Sequence, residues 1–483
     1  MDKGLKWFRH EARLWQRLAL AAVLTAAYAL LILGVRHLDP SAAKGPAGAL
    51  TNSPIFRLAT EQPADFVTDA LAGSGTVRAS APPVAIVTYD DESFPKGSRF
   101  ATIRRQHLSD VLRLIEVQEP ASIFVDLDLG YDAPGEAEGT DALYQTLKAL
   151  DQNQDGPPVF LYRPQRSDEK YPKHPVRFVP TTVRSNSLDA TGPIDKQVGD
   201  EGQLQWFNAT FVQDEDGQTR WMSAWRTAPD LEGKLSVALS AGYAVRLLQD
   251  GGLPLLMQTQ TELASQAEGI PKTSLQSYKN GMTAAWLQEG VRHPNRVSRV
   301  MFNTRDPFRA SGIPLSARSY VDLHPIRYDA GMSGLRLEGG ALSDKIVIIG
   351  RSDQYSGDTI QTPIGSVPGI FVVAQSLKTV TSYDAPIAIA TLPSIAFAFA
   401  IFAIFLLMLR YQNWAMSVFY TVIISLICMI PFAFFYSQGI WIDLGAPTAI
   451  ISAIGALVEL IEKGANVFRL GRPSAKSAAS QEE

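Results

Sequence analysis

The placement of apolar residues constrains this chain more than any other feature. Uncharged runs lie at its two ends and flank a long stretch of ordinary mixed composition, residues 36–386. Residues 18–35 form an uncharged run that, at about 1.5 Å rise per residue, approaches the roughly 30 Å thickness of a hydrocarbon core. Residues 387–409 and 414–436 are longer runs separated only by Arg410, Tyr411, Gln412 and Asn413, which predicts a tight membrane hairpin. A fourth run, 444–461, is interrupted by Glu459 near its end, where a long acidic side chain can reach the interface. Four transmembrane helices are therefore expected. Basic residues set their orientation, because Lys and Arg are retained on the cytoplasmic side. Lys3, Lys6, Arg9, Arg13 and Arg17 crowd the arm 1–17, and Lys463, Arg469, Arg472 and Lys476 lie in the tail 462–483, whereas the loop Ser437–Asp443 has no basic residue. Both termini are expected in the cytoplasm and residues 36–386 outside it. The rival for the first span is a cleaved signal peptide ending near Ser41-Ala42-Ala43, which would leave the sidedness unchanged.

Composition removes several function classes. Lys+Arg 44 against Asp+Glu 48 gives a net charge of -4, which argues against a nucleic-acid partner. A single cysteine, Cys428, excludes an intrachain disulfide and a Cys-rich zinc site, and the six histidines do not pair at metal-ligand spacing on a helix. No metal and no cofactor is expected.

The outer segment reads as an α/β domain with a mixed or parallel sheet. Pro83–Tyr89 is an apolar run of strand length before the acidic turn Asp90-Asp91-Glu92-Ser93. His107–Val117 carries Leu108, Val111, Leu112 and Ile115 at helical spacing, and Ala121–Leu129 is a second buried strand, so a right-handed strand-helix-strand crossover is expected. Trp206–Gln213 and Gln218–Trp225 flank Asp214-Glu215-Asp216-Gly217, the pattern of a hairpin with an Asp-Gly turn. Leu235–Leu248 is read as an amphipathic helix, and Ile346–Gly350 as a fully buried strand. A polar loop is expected from there to Gly369, with a helix over Ile370–Thr379. Residues 133–200 and 250–300 have weak periodicity and receive no assignment.

Four stretches together resemble the extracellular CHASE2 sensor domain of bacterial membrane signalling proteins. They are Val84–Ser93 with Arg105-Gln106-His107; Phe124-Val125-Asp126; Asp216-Gly217-Gln218-Thr219-Arg220 with Leu235–Leu239; and the closing block Lys345–Gly350, Asp358, Thr362–Gly365 and Pro368–Ala374. The resemblance covers residues 84–386. It departs from the family pattern at Ala101-Thr102-Ile103, where a Trp-Pro pair is usual, and at Asp344, where glycine is usual. It implies one span before the domain and three after it, in a bacterial inner membrane with the domain in the periplasm or outside the cell. Family members commonly continue into a kinase or cyclase, and no such output domain is expected in the short tail after residue 461.

The function expected is therefore that of a stand-alone sensory or accessory subunit. It would act through its transmembrane helices on a separate cytoplasmic protein, with the bilayer as its other partner and homo-oligomerisation left open. The alternative is a structural or assembly subunit of an envelope complex. No catalytic residue is expected: Asp126-x-Asp128 could be read as a glycosyltransferase motif, but nucleotide sugars lie on the other side of the membrane. An extracytoplasmic enzyme would lose activity on substitution of Asp126 or Asp128. Asp214–Gly217 does not fit a calcium loop, because the register would put Val212 at the first ligand. The candidate ligand residues are Asp90, Asp91, Arg105, Asp126 and Asp358, at strand ends and the loops after them. Capping and loop-tying are the competing roles for the same side chains. Gly350, Pro363, Gly365, Pro368 and Gly369 are expected to shape backbone rather than to contact a ligand.

Overall fold

The computed structural model describes residues 14–37, most of 82–130, 137–167, 176–184, 194–267 with short breaks, isolated stretches between 286 and 334, 341–353, most of 358–387 and 391–408, and scattered residues from 416 to 454. The chain divides into two compact units, residues 68–388 and a unit made of 1–67 with 389–483.

The larger unit is built on an eight-stranded sheet. Its strands are β1 Val84–Tyr89, β2 Ser122–Asp126, β3 Val159–Tyr162, β4 Leu204–Asn208, β5 Trp225–Pro229, β6 Leu235–Ser240, β7 Val321–Pro325 and β8 Ile346–Arg351. The spatial order is β7-β1-β8-β2-β3-β4-β6-β5. All pairs are parallel except β6 with β5. Apolar runs such as Val-Ala-Ile-Val and Ile-Val-Ile-Ile suit the centre of such a sheet, where both faces are covered. The predicted β1-helix-β2 unit is parallel, but β8 from the far end of the domain lies between its two strands.

Among the described residues four helices belong to this unit: α2 Arg105–Glu116, α3 Ala137–Gln152, α4 Ala241–Ala267 and α5 Gly369–Ser382. Leu108, Val111, Leu112 and Ile115 of α2 and Leu143, Leu147 and Leu150 of α3 share one core with Ala85, Val87, Ile123, Val125, Val347 and Ile349. The alternate residues Val84, Ile86, Phe124 and Ile348 are buried on the other face. There Phe124 stacks on Phe160 at 4.4 Å and meets Phe207 edge-on at 5.2 Å. A Cβ added to Gly350 would lie 2.7 Å from Ile370 of α5, and one on Gly242 of α4 would lie 2.6 Å from Val380. Glycine at these two positions lets α5 approach β8 and α4 approach α5. The helices thus cover both faces, α2 and α3 on one and α4 and α5 on the other.

Three sequence expectations are corrected. Leu235–Leu248 is not one helix: 235–240 is strand β6, held by five residue pairs to β5, and helix α4 begins at Ala241. Tertiary pairing overrides a local pattern that either state could satisfy. The expected polar loop before Gly369 contains a hairpin, Thr359–Thr362 with Gly365–Pro368, in which Gly365 takes φ +109. The expected strand 206–213 is two strands in different sheets, because Phe211–Gln213 turns away to pair with Thr219–Met222 through the Gly217 turn. In the regions without assignment, α3, β3 and most of α4 are found, the last with a break at Gly252 before Pro254.

Asp344 occupies the position where the resembled family carries glycine, and its φ is +57, the left-handed region that costs a side chain about 1 kcal/mol or more. Asp344→Gly is therefore expected to stabilise the protein by about 1 kcal/mol, read as a higher midpoint in thermal denaturation. An unchanged or lower midpoint would show that the Asp344 side chain compensates for its backbone.

The second unit contains α1 Leu14–His37 and α6 Thr391–Met408. Ala21 and Tyr28 of α1 pack with Ala398, Ile401, Phe402 and Phe405 of α6 and with Ile451. The Arg17 guanidinium donates to the Leu406 carbonyl at 2.6 Å, so the start of α1 meets the last turn of α6 and the two run antiparallel. Among the described residues no helix is long and apolar enough to cross a membrane. Of the four expected spans, this bears only on the described parts. The described part of α6 is 18 residues long. The described side chains of α1 end at Leu30, and 414–436 and 444–461 are described only at scattered residues.

Candidate ligand site

In an open α/β sheet a ligand crevice forms at the carboxyl ends of neighbouring strands whose following helices leave on opposite faces. The chain leaves β2 for α3 on one face, and adjacent β8 leads to α5 on the other. A cavity of about 430 Å³ lies at that edge. Asp126 ends β2, Tyr162 ends β3 and Arg351 ends β8, and all three line it. Arg105 and Leu108 come from the start of α2, Asp358 precedes the 359–368 hairpin, and Gly369 and Val373 come from the first turns of α5. Leu127, Leu129, Phe211 and Ile360 complete mainly apolar walls.

Three of the five predicted ligand residues, Arg105, Asp126 and Asp358, thus meet in one cavity although they are far apart in sequence. Asp90 does not join them. Its Oδ1 accepts from the Ser93 N–H at 3.0 Å and the Ser93 hydroxyl at 2.9 Å, a local turn that caps the end of β1. Asp91 lies outside the described residues. Arg105 is 3% exposed, and its guanidinium donates to Thr140 Oγ1 at 2.8 Å, to the Thr182 carbonyl at 3.3 Å, to the Leu129 carbonyl at 3.4 Å and to Thr182 Oγ1. It is a clamp that fixes one wall.

The backbone-shaping residues divide by role. Gly365 alone of them has a left-handed φ, and Thr362 Oγ1 donates to its carbonyl at 2.7 Å across Pro363 and Ile364. Pro368 precedes the first turn of α5 with an extended backbone. Gly350 admits Ile370, as above, and a Cβ at Gly369 would collide with the Asp358 carboxylate. That carboxylate lies at the positive end of α5, and the Gly369 N–H donates to the Asp358 carbonyl at 2.9 Å.

The electrostatics of the pair are unusual for a surface crevice. Burial, and secondarily the charge of Asp358, pushes the Asp126 carboxyl up to about 8. Asp358 is also raised by desolvation, with Arg351 opposing, but it stands at the exposed rim and water weakens the push. Tyr162 is raised to about 12, first by burial and then by Asp126. At neutral pH the cavity therefore presents two hydroxyl donors, from protonated Asp126 and Tyr162, beside the more readily ionised Asp358. Arg351 makes a bidentate pair with Asp353 at 2.7 and 2.8 Å, and Asp128 pairs with Arg166 at 3.2 Å. Among the described residues no group of three or more His, Cys, Asp or Glu side chains is arranged to hold a metal ion.

Sequence reasoning missed Tyr162 and Arg351. Arg351 directly follows the Ile346–Gly350 run, so the strand-end argument that singled out Asp126 applies to it equally. Tyr162 lies in the segment without assignment.

The sheet, its helices and this cavity lie within the stretch, residues 48–410, that matches the CHASE2 domain. The chain belongs to the CHASE2 family. CHASE2 is a sensory domain family. The match extends beyond the resembling segments on both sides and covers most of the chain. No curated protein matches the chain. No solved structure matches it.

Proposed function

We propose that this CHASE2 protein is a membrane-anchored sensory subunit rather than an enzyme. Its outer domain binds a small molecule in the crevice between β8 and β2, and occupancy is passed through Ile387 and the following helices to a separate cytoplasmic protein. The observation that carries the reading is the cavity of about 430 Å³ at the switch point, where Asp126, Tyr162 and Asp358 converge from three parts of the chain. Because β8 leads through Arg351 and the 359–368 hairpin to α5, a ligand at Asp358 and Gly369 touches the helix that precedes residue 387 in the chain.

Anchorage by spans 18–35, 387–409, 414–436 and 444–461, in a bacterial inner membrane with both termini cytoplasmic, is supported by two further facts. Of the fourteen large apolar side chains exposed among the described residues, twelve belong to the unit that contains α1 and α6, among them Trp15, Val23, Leu30, Leu392 and Phe419. Such an exterior suits lipid better than water. The contact of Arg17 with Leu406 joins two chain positions that the charge distribution assigns to the same, cytoplasmic side.

Affinity purification of the intact protein in mild detergent, with mass spectrometry of what stays bound, tests the reading. A cytoplasmic kinase, cyclase or regulator is expected in the bound fraction. Recovery of envelope components alone would replace the sensor with a docking subunit of an envelope complex.

A further inference from the structure

The sheet opens on one side of β4. Strand β6 pairs with β4 only at Leu239–Phe207 and Ser240–Asn208, so the first halves of the two strands diverge. Arg163, the residue after β3, reaches into the opening. Its Nη1 donates to Ser236 Oγ at 2.6 Å, and its guanidinium lies 4.4 Å from the Phe178 ring centre and 4.8 Å from that of Trp206. At 6% exposure this is a buried cation held between two aromatic faces.

The opening forms a cavity of about 700 Å³, separate from the crevice above and walled on one side by Met257–Ser265 of α4. Gln205 lines it and is 1% exposed. Its Nε2 donates to the Gly202 carbonyl at 3.2 Å, which fixes the orientation of the amide, and its Oε1 has no hydrogen-bond partner among the described residues. A buried acceptor without a donor is costly, and a bound molecule carrying a hydroxyl or ammonium would supply one. Charge gives the rest of the ligand. Lys196 and Lys234 stand exposed at the rim above Arg163. The single acid lining the cavity among the described residues, Asp195, accepts from the Thr181 N–H at 3.1 Å and the Thr181 hydroxyl at 2.6 Å and also interacts with the charge of Arg163, so three cations in the lining face one acid.

We propose that this cleft is a second binding site, for a small carboxylate that also bears a hydrogen-bond donor, of the hydroxy- or amino-carboxylate class. The carboxylate is drawn by Arg163, Lys196 and Lys234, and the donor satisfies Gln205 Oε1. The site is independent of the crevice at Asp126 and of the sensory reading built on it.

Calorimetric titration of the full-length protein in nanodiscs with malate, citrate, aspartate and succinate tests it. Succinate carries the charge of malate without its hydroxyl. Malate is expected to bind saturably and about tenfold more tightly than succinate, the effect of one hydrogen bond. Gln205→Leu, which removes the buried amide at similar volume, is expected to bring malate down to succinate's affinity. The double variant Lys196→Ala, Lys234→Ala, confined to the exposed rim, is expected to weaken both ligands and to reduce their salt dependence. Asp126→Asn is expected to leave malate binding unchanged. Absence of saturable binding by any of the first three compounds overturns the proposal. So does equal binding of malate and succinate, or binding that Asp126→Asn abolishes and Gln205→Leu leaves intact.

Discussion

Replacing Arg105 by methionine is expected to destabilise the outer domain by about 3 kcal/mol, lowering its thermal midpoint by several degrees. The guanidinium is buried and ties the start of α2 to Thr140 of α3 and to Leu129 and Thr182 beyond the end of β2. Methionine fills similar apolar volume but donates nothing, so the Thr182 carbonyl and the Thr140 hydroxyl lose a donor. Lysine is expected to recover only part of the loss, because a point charge cannot span partners on three segments as a planar fork does. Thermal denaturation of the nanodisc-embedded protein reads the effect. A variant that melts like the wild type but no longer binds a crevice ligand would assign Arg105 to recognition instead.

Asp126→Asn is expected to act in the opposite direction, raising stability by several kcal/mol at pH 8 and by little at pH 4. The folded domain holds the Asp126 proton more tightly than the unfolded chain does, since burial and Asp358 both disfavour the carboxylate. The contribution of this group to stability is therefore complete below about pH 4, near the carboxylate's ordinary value, and is lost as the pH rises through about 8. Asparagine keeps the shape and cannot ionise, so the variant's midpoint should vary less with pH than that of the wild type. Parallel profiles for the two proteins would mean that Asp126 is already ionised and solvated in the fold. The same profile bears on function: a site whose charge changes near neutrality binds its ligand in a pH-dependent way, and Asp126→Asn should flatten that dependence too.

The parts of the candidate site that were legible in the sequence are those governed by local rules. Asp126 and Asp358 could be singled out because one ends an apolar run and the other follows one, the positions where parallel sheets present side chains to ligands. Arg105 was found for the same reason, but its partners Thr140 and Thr182 lie in the weakly periodic segment 133–200, so nothing local distinguished a clamp from a ligand contact. Asp90 shows the limit from the other side. A carboxylate after a strand is as well placed to cap a turn as to face a cavity, and Ser93, three residues on, took it.

By itself the sequence determined the elements whose hydrophobic period has one solution: the apolar strands β1, β2 and β8, the amphipathic face of α2, the Asp-Gly turn and the apolar runs at the chain ends. Tertiary structure decided the state of Leu235–Ser240, whose residues fit a helix until β5 pairs with them. It also decided the insertion of β8 between β1 and β2, which brings Arg351 and Asp358 to Asp126. The physical reason is that periodicity reports which side of an element is buried, a property of a few neighbouring residues. Strand order is chosen by the packing of side chains that are hundreds of residues apart, and the cost of closing such loops grows too slowly with length to leave a local mark.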